Sequence, residues 1–204
     1  PEHWDALRSY FGGGGPENIR NVARYSSWLL HAGEKPQAVS SFAQSASFFA
    51  SAQQKSGGEV AGNIAIIFYR SVVEGGQTAP ITALIEQIEK GGLAAQAIYV
   101  SSLKDKTCQE YLRAHFAENP ADVIINATSF AVGNPEQDVL AQQDCPVLQV
   151  TLGGNTEEQW LASSTGLAAK DLAMSVVLPE LDGRIYAGVV SFKADHVWQE
   201  KTQC

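Results

Sequence analysis

"IAIIF", residues 64–68, decides the fold. Five apolar residues follow one another without polar alternation, and the run is too short for a helix. It reads as a strand covered on both faces, the mark of a parallel sheet. Beyond it the period turns helical. Thr78 is placed to cap a helix whose Ile81, Leu84, Ile85 and Ile88 form one face before Gly91-Gly92 ends it. "AIYV" (97–100) follows as a second strand. Cys108, Tyr111, Leu112, His115 and Phe116 make another helical stripe, stopped by Asn119-Pro120, and "DVIIN" (122–126) and "VLQV" (147–150) supply two further strands. Crossovers of helical length predict parallel neighbours.

After these, Thr156 with Gln159 three residues on is a capping-box pattern for a short helix through Trp160. A second short helix is expected over 169–177, because the residue before Pro179 is pushed out of the helical region. Glu180 and Asp182 then fall in a turn, and "RIYAGVV" (184–190) leaves it as a strand. The expected fold is α/β: an open, doubly wound, flavodoxin-like parallel sheet over 63–204, with an N-terminal helical segment over 1–62. In that segment the glycine run 12–15, followed by Pro16 and Glu17, reads as a helix entry. Ile19, Val22, Ala23, Leu29 and Leu30 recur on one face of residues 17–32. Residues 35–62, rich in Ala, Ser and Gln, read as a long connection anchored at Phe42, Phe48 and Phe49 and broken at Ser56-Gly57-Gly58.

Charge is uneven. Residues 1–63 carry five acidic and five basic side chains, so the net −8 belongs to residues 64–204. Without a Lys/Arg-rich run, neither nucleic acid nor an anionic membrane surface is an expected partner. The three cysteines, Cys108, Cys145 and Cys204, have no C-x-x-C spacing, which points away from a disulfide framework or zinc knuckle and towards a reducing, cytoplasmic location. No apolar run reaches the roughly 18 residues of a membrane span. The chain starts at Pro1 and stops soon after a strand-like stretch, the pattern expected of a piece of a longer product.

In open α/β sheets ligands bind beyond the carboxyl ends of the strands. "RSVVEGGQT" (70–78) lands there, with Arg70 and the helix start at Thr78, but it is neither a G-x-G-x-x-G nor a Walker loop. "NATSFAVGN" (126–134) offers the Asn126 amide, the Thr128 hydroxyl and the Phe130 ring, either to a ligand or to its own backbone. "QVTLGGNT" after the fourth strand is a weaker version of the same. His115 reads as a packed core histidine, and His3, His31 and His196 lack metal-ligand spacing. Trp4, Trp28, Trp160 and Trp198 read as core or interface anchors. Glu180 and Asp182 stand out, two carboxylates in an apolar run between Pro179 and Gly183. By composition alone they make an ordinary Asp-Gly turn.

The wording around them says more. "DLAMSVVLPELDGRI" (171–185) resembles a signature of the large subunit of cobaltochelatase, the CobN family, related to the H subunit of magnesium chelatase. "GGPENIRNVARY" (14–25), "IAIIFYRS" (64–71), "TAPITALIEQIEKGGL" (78–93), "YVSSLKD" (99–105), "DVIINATSFAV" (122–132) and "CPVLQVTLGG" (145–154) resemble the same family, with the poorer match in 35–62. The resemblance implies a fragment from the N-terminal part of a tetrapyrrole-binding subunit that inserts cobalt(II) into hydrogenobyrinic acid a,c-diamide during cobalamin biosynthesis. It also implies AAA+ motor subunits that hydrolyse ATP elsewhere, and a site completed by the remainder of the large subunit. Glu180 is carried over as important for metal insertion. As base or transient cobalt ligand it suits the chemistry, because carboxylate oxygens hold cobalt more weakly than thiolates and Leu178, Leu181 and Ile185 would desolvate it. Asp182 is added as its partner, and Arg70 as a bidentate grip on a carboxylate at the ring's edge. The alternative is a non-catalytic small-molecule-binding or docking module of the same assembly.

Overall fold

In the computed structural model the strand that opens the α/β pattern is β2 (Asn63–Tyr69), the centre of the sheet. The structure describes residues 2–31, 33–52, 61–134, 136–164 and 166–194. The Ser56-Gly57-Gly58 break, His196, Trp198 and Cys204 lie outside them. The elements preceding β2 are α1 (Glu2–Gly13), α2 (Pro16–His31) and β1 (Ser45–Ala50). After it come α3 (Arg70–Glu74), α4 (Ala79–Lys90), β3 (Ala94–Val100), α5 (Lys106–Glu118), β4 (Val123–Asn126) and β5 (Val147–Leu152). The chain ends its described part with α6 (Glu157–Ala162), α7 (Ala169–Leu172), a π-helical turn (Ala173–Val177), α8 (Leu178–Glu180) and β6 (Ile185–Ser191).

The sheet order is β1-β3-β2-β4-β5-β6. All neighbours from β3 to β6 are parallel, as expected for the four strands read from sequence, and β6 adds a fifth at the edge. From β2 the chain crosses to β3 on one side and later to β4 on the other, which opens a cleft between their carboxyl ends. Alternate side chains of β2 fill two cores. Ala65 and Ile67 face Ile98, Leu112, Phe116, Ile124 and Leu140, whereas Ile66 and Phe68 face Ile81, Ile85 and Tyr99.

Several expectations are corrected. Residues 35–62 are more than a connection, since β1 pairs antiparallel with β3 from Ser45↔Val100 to Ala50↔Gln96. Its "SASFFA" has few β-branched residues, so propensity hid it, and the neighbouring strand supplies the pairing instead. A helix over residues 2–13, α1, went unread. In α2 the buried residues are Asn18, Asn21 and Tyr25, while Ile19, Leu29 and Leu30 are exposed. Asn18 is inside because its amide donates to the Gly14 and Ser40 carbonyls and its Oδ1 accepts from Ser40 N. Thr78 occupies the N-cap position of α4 in helical geometry, and its side chain accepts no cap hydrogen bond. The helix also continues through Pro179, with Leu178 at φ −67° and ψ −44°. The wider π-helical turn ahead of it accommodates the residue before proline, so Glu180 ends a helix and only Leu181–Gly183 form the turn. The capping box at Thr156 and Gln159 is present as read.

Candidate functional site

The carboxyl ends of β2 and β4 are built mainly for their own stability. Asn126 and Thr128 are buried. Thr128 Oγ1 donates to Asn126 Oδ1 at 2.9 Å, Asn126 Nδ2 donates to Gln149 Oε1 at 2.7 Å, and Gln149 Nε2 donates to the Thr128 carbonyl at 2.7 Å. This closed ring satisfies polar groups that water cannot reach. Arg70 is likewise engaged, with Nη1 donating to Gln44 Oε1 at 3.0 Å and Nε 3.0 Å from Glu74 Oε1 in an off-axis ion pair. Thr78 stands at the start of α4, and the structure gives it no bond to the other candidates.

Phe130 is different. Among the described residues it is the non-glycine residue with a left-handed backbone, φ +70°, and the residue is 45% exposed. Such a conformation persists only when its surroundings impose it. Here they do: Phe130 N donates to the Met174 carbonyl, Ser129 N donates to Tyr69 Oη, and Tyr69 Oη donates back to the Ser129 carbonyl at 2.8 Å. Burial raises the Tyr69 pKa, with the Ser129 backbone bond opposing it, so the phenol stays a donor. Tyr69, Ser102, Leu103, Lys104 and Val132 line a cleft with Phe130 at the crossover point of the sheet.

The Met174 contact leads along the π-helical turn and α8 to the carboxylates. Glu180 is exposed at the end of α8, beside Val177 and Leu181, which is 74% exposed, with Ile185 following the turn. In this chain it is therefore not desolvated, which corrects that expectation. Asp182 is turned inward. Its Oδ2 accepts from Val132 N at 2.6 Å and its Oδ1 from Gly133 N at 3.0 Å. Arg184 Nη2 lies 3.4 Å from Asp182 Oδ2 and 3.4 Å from Asp138 Oδ2, with all three side chains buried. The structure thus ties Phe130, Asp182 and Glu180 to one loop–helix unit, and leaves Arg70 and Thr78 at the far side of β2. Asp138 and Arg184 were missed in the sequence. Arg184 did leave a signal, a charge immediately before an apolar strand. No group of three or more His, Cys, Asp or Glu side chains able to hold a metal occurs among the described residues, and no described helix is long and apolar enough to cross a membrane.

Sheet, crossover cleft and carboxylate turn define an open α/β unit whose polar groups gather at the carboxyl ends of its strands. A family model described as CobN/Magnesium Chelatase matches residues 8–204, and the chain belongs to that family. It is 38% identical to the aerobic cobaltochelatase subunit CobN of Sinorhizobium sp, over 97% of this chain and 17% of that protein. It is also 31% identical to the chloroplastic magnesium-chelatase subunit ChlH of Oryza sativa subsp. indica, over 59% of this chain and 9% of that protein. The catalytic subunit of cobaltochelatase from Mycobacterium tuberculosis shares its fold, with a TM-score of 0.75 and 23% identity over 91% of this chain and 16% of that one. The chain thus spans about a sixth of the length of these cobaltochelatase subunits.

Proposed function

We propose that this chain is part of the ring-holding large subunit of a cobaltochelatase that inserts cobalt(II), as substrate metal, into hydrogenobyrinic acid a,c-diamide in cobalamin biosynthesis. Glu180 accepts a proton from a ring nitrogen or holds the metal in transit. ATP is hydrolysed by separate AAA+ motor subunits, not bound here, and the remainder of the large subunit closes the site. The observation that carries this reading is the setting of Glu180, an exposed carboxylate at a helix end among exposed Val177, Leu181 and Ile185. An apolar surface around one charge suits a wall awaiting a cover, because covering it would desolvate the carboxylate and strengthen it as a base. Phe130 offers a ring face to the substrate. Arg70 and Thr78 belong to the same proposal as contacts of the ring's edge, with Arg70 first having to leave Glu74. The closed Asn126–Thr128–Gln149 ring favours a supporting role for those residues, and for that end of the sheet it favours the alternative of a docking module without catalytic groups.

The test is Glu180→Gln in the full-length subunit, with motor subunits, ATP and cobalt saturating. Ring binding is retained, since the amide is nearly isosteric, while insertion falls at least about a hundredfold, the lower range for a positioned base. Insertion at the unaltered rate would move the chemistry to another part of the subunit.

A further inference from the structure

The second carboxylate of the motif has a different task. We propose that Asp182, with Arg184 and Asp138, forms a clasp that fixes the turn following Glu180 to the loop carrying Phe130, and that these three are positioning residues. The inference rests on the proposed role of Glu180, but its geometry is independent of it.

Both Asp182 oxygens accept from main-chain N–H groups of the loop, Val132 at 2.6 Å and Gly133 at 3.0 Å, and the side chain is buried, so the carboxylate faces the loop and not an open cleft. Bonds from amides to an ionised acceptor are among the stronger ones, and here they span fifty residues of sequence. Arg184 sits behind them. Its Nη2 reaches Asp182 and Asp138 at equal distance, and Asp138 Oδ1 in turn accepts from Leu140 N at 3.0 Å. One guanidinium therefore holds two carboxylates, Asp138 from the 131–140 stretch and Asp182 from the motif turn. All three charges are buried, and Arg184 Nε and Nη1 have no hydrogen-bond partner among the described residues. Such an arrangement is a poor source of stability, since buried pairs return little beyond their desolvation cost. What it supplies is a fixed relation between two segments. The Phe130 N bond to Met174 O and the Ser129–Ser175 hydroxyl contact at 3.2 Å fasten the same loop to the same helix from the other end. A loop with a strained Phe130 and a helix end with an exposed Glu180 are thus one rigid part.

The test uses the full-length subunit, hydrogen exchange and the pH–rate profile of metal insertion together. Asp182→Asn keeps one acceptor oxygen but loses the charge, and exchange at Val132 and Gly133 rises by on the order of tenfold. Arg184→Lys keeps the charge but cannot bridge both carboxylates, and gives the same change at the same two amides. In both variants kcat falls, ring affinity falls less, and the acidic limb of the profile stays in place because the proposed base is unaltered. Unchanged exchange at Val132 and Gly133 in both variants would overturn the clasp. So would loss of the acidic limb in Asp182→Asn, because Asp182 would then be the base itself. If instead Glu180→Gln inserts metal normally while exchange responds as stated, the clasp stands and only the role of Glu180 falls.

Discussion

His115, read as a packed core histidine, lies on the expected helical stripe but is only half-buried, and it carries a measurable consequence. It lies on the α5 stripe, as the spacing of Cys108, Leu112 and Phe116 indicates, and its Nε2 meets Gln96 Oε1 at 2.6 Å while its ring stacks on Tyr111. Burial lowers its pKa below the usual 6.5, against an upward pull from Glu118. The folded form thus binds this proton less readily than the unfolded chain. The His115 contribution to stability is complete above about pH 6.5 and is lost as pH falls through the lowered folded value. Thermal melts at pH 7.5 and pH 5 should show a drop that shrinks in His115→Gln; an equal drop in both proteins would show that other groups titrate. Phe130 and Asp182 were legible as residues in turns, whereas Glu180, expected in the same turn, ends a helix. The directions of these side chains were not legible, because whether a side chain points in or out of a turn depends on the partner strand or loop, and Val132 and Gly133 lie fifty residues away.

The elements were legible where the sequence alternates strongly. β2, β3, β4 and β5 follow from short apolar runs, since burial on two faces leaves a simple pattern, and α4 and α5 from apolar residues at helical spacing. α2 was legible as a helix but not for its buried face, because Asn18 and Asn21 go inside on hydrogen bonds that no hydrophobic period records. The join between α1 and α2 is equally specific. Gly15 has φ +82°, a Cβ there would lie 2.8 Å from the Phe42 ring, and its N–H donates to the Glu74 carbonyl at 2.8 Å. Gly15→Ala should cost about 1–2 kcal/mol from the left-handed backbone alone, with more from the collision. Chemical denaturation checks this; a loss under 0.5 kcal/mol, the range of ordinary surface changes, would mean that the hairpin shifts freely.

For the whole molecule, exposed apolar side chains are the main guide to what lies outside it. Leu181 is 74% exposed here, yet the chain spans only 17% of a curated relative. If the remaining polypeptide covers the turn, Leu181→Asp in the full-length subunit buries an unpaired charge and lowers its melting temperature by several degrees. A melting temperature unchanged by the substitution would leave this face open to water. The edge strand β1 has a consequence of another kind. Ser45 pairs with Val100, so this strand leaves the ribosome well before its partner exists. At about 5–20 residues per second it waits on the order of several seconds with its main chain unpaired. A run of valines and isoleucines in that interval would invite pairing with another nascent chain. Serine and alanine, which made β1 so hard to see in the sequence, let it pass that interval without sticking, and its two phenylalanines wait for the ridge that β3 will provide.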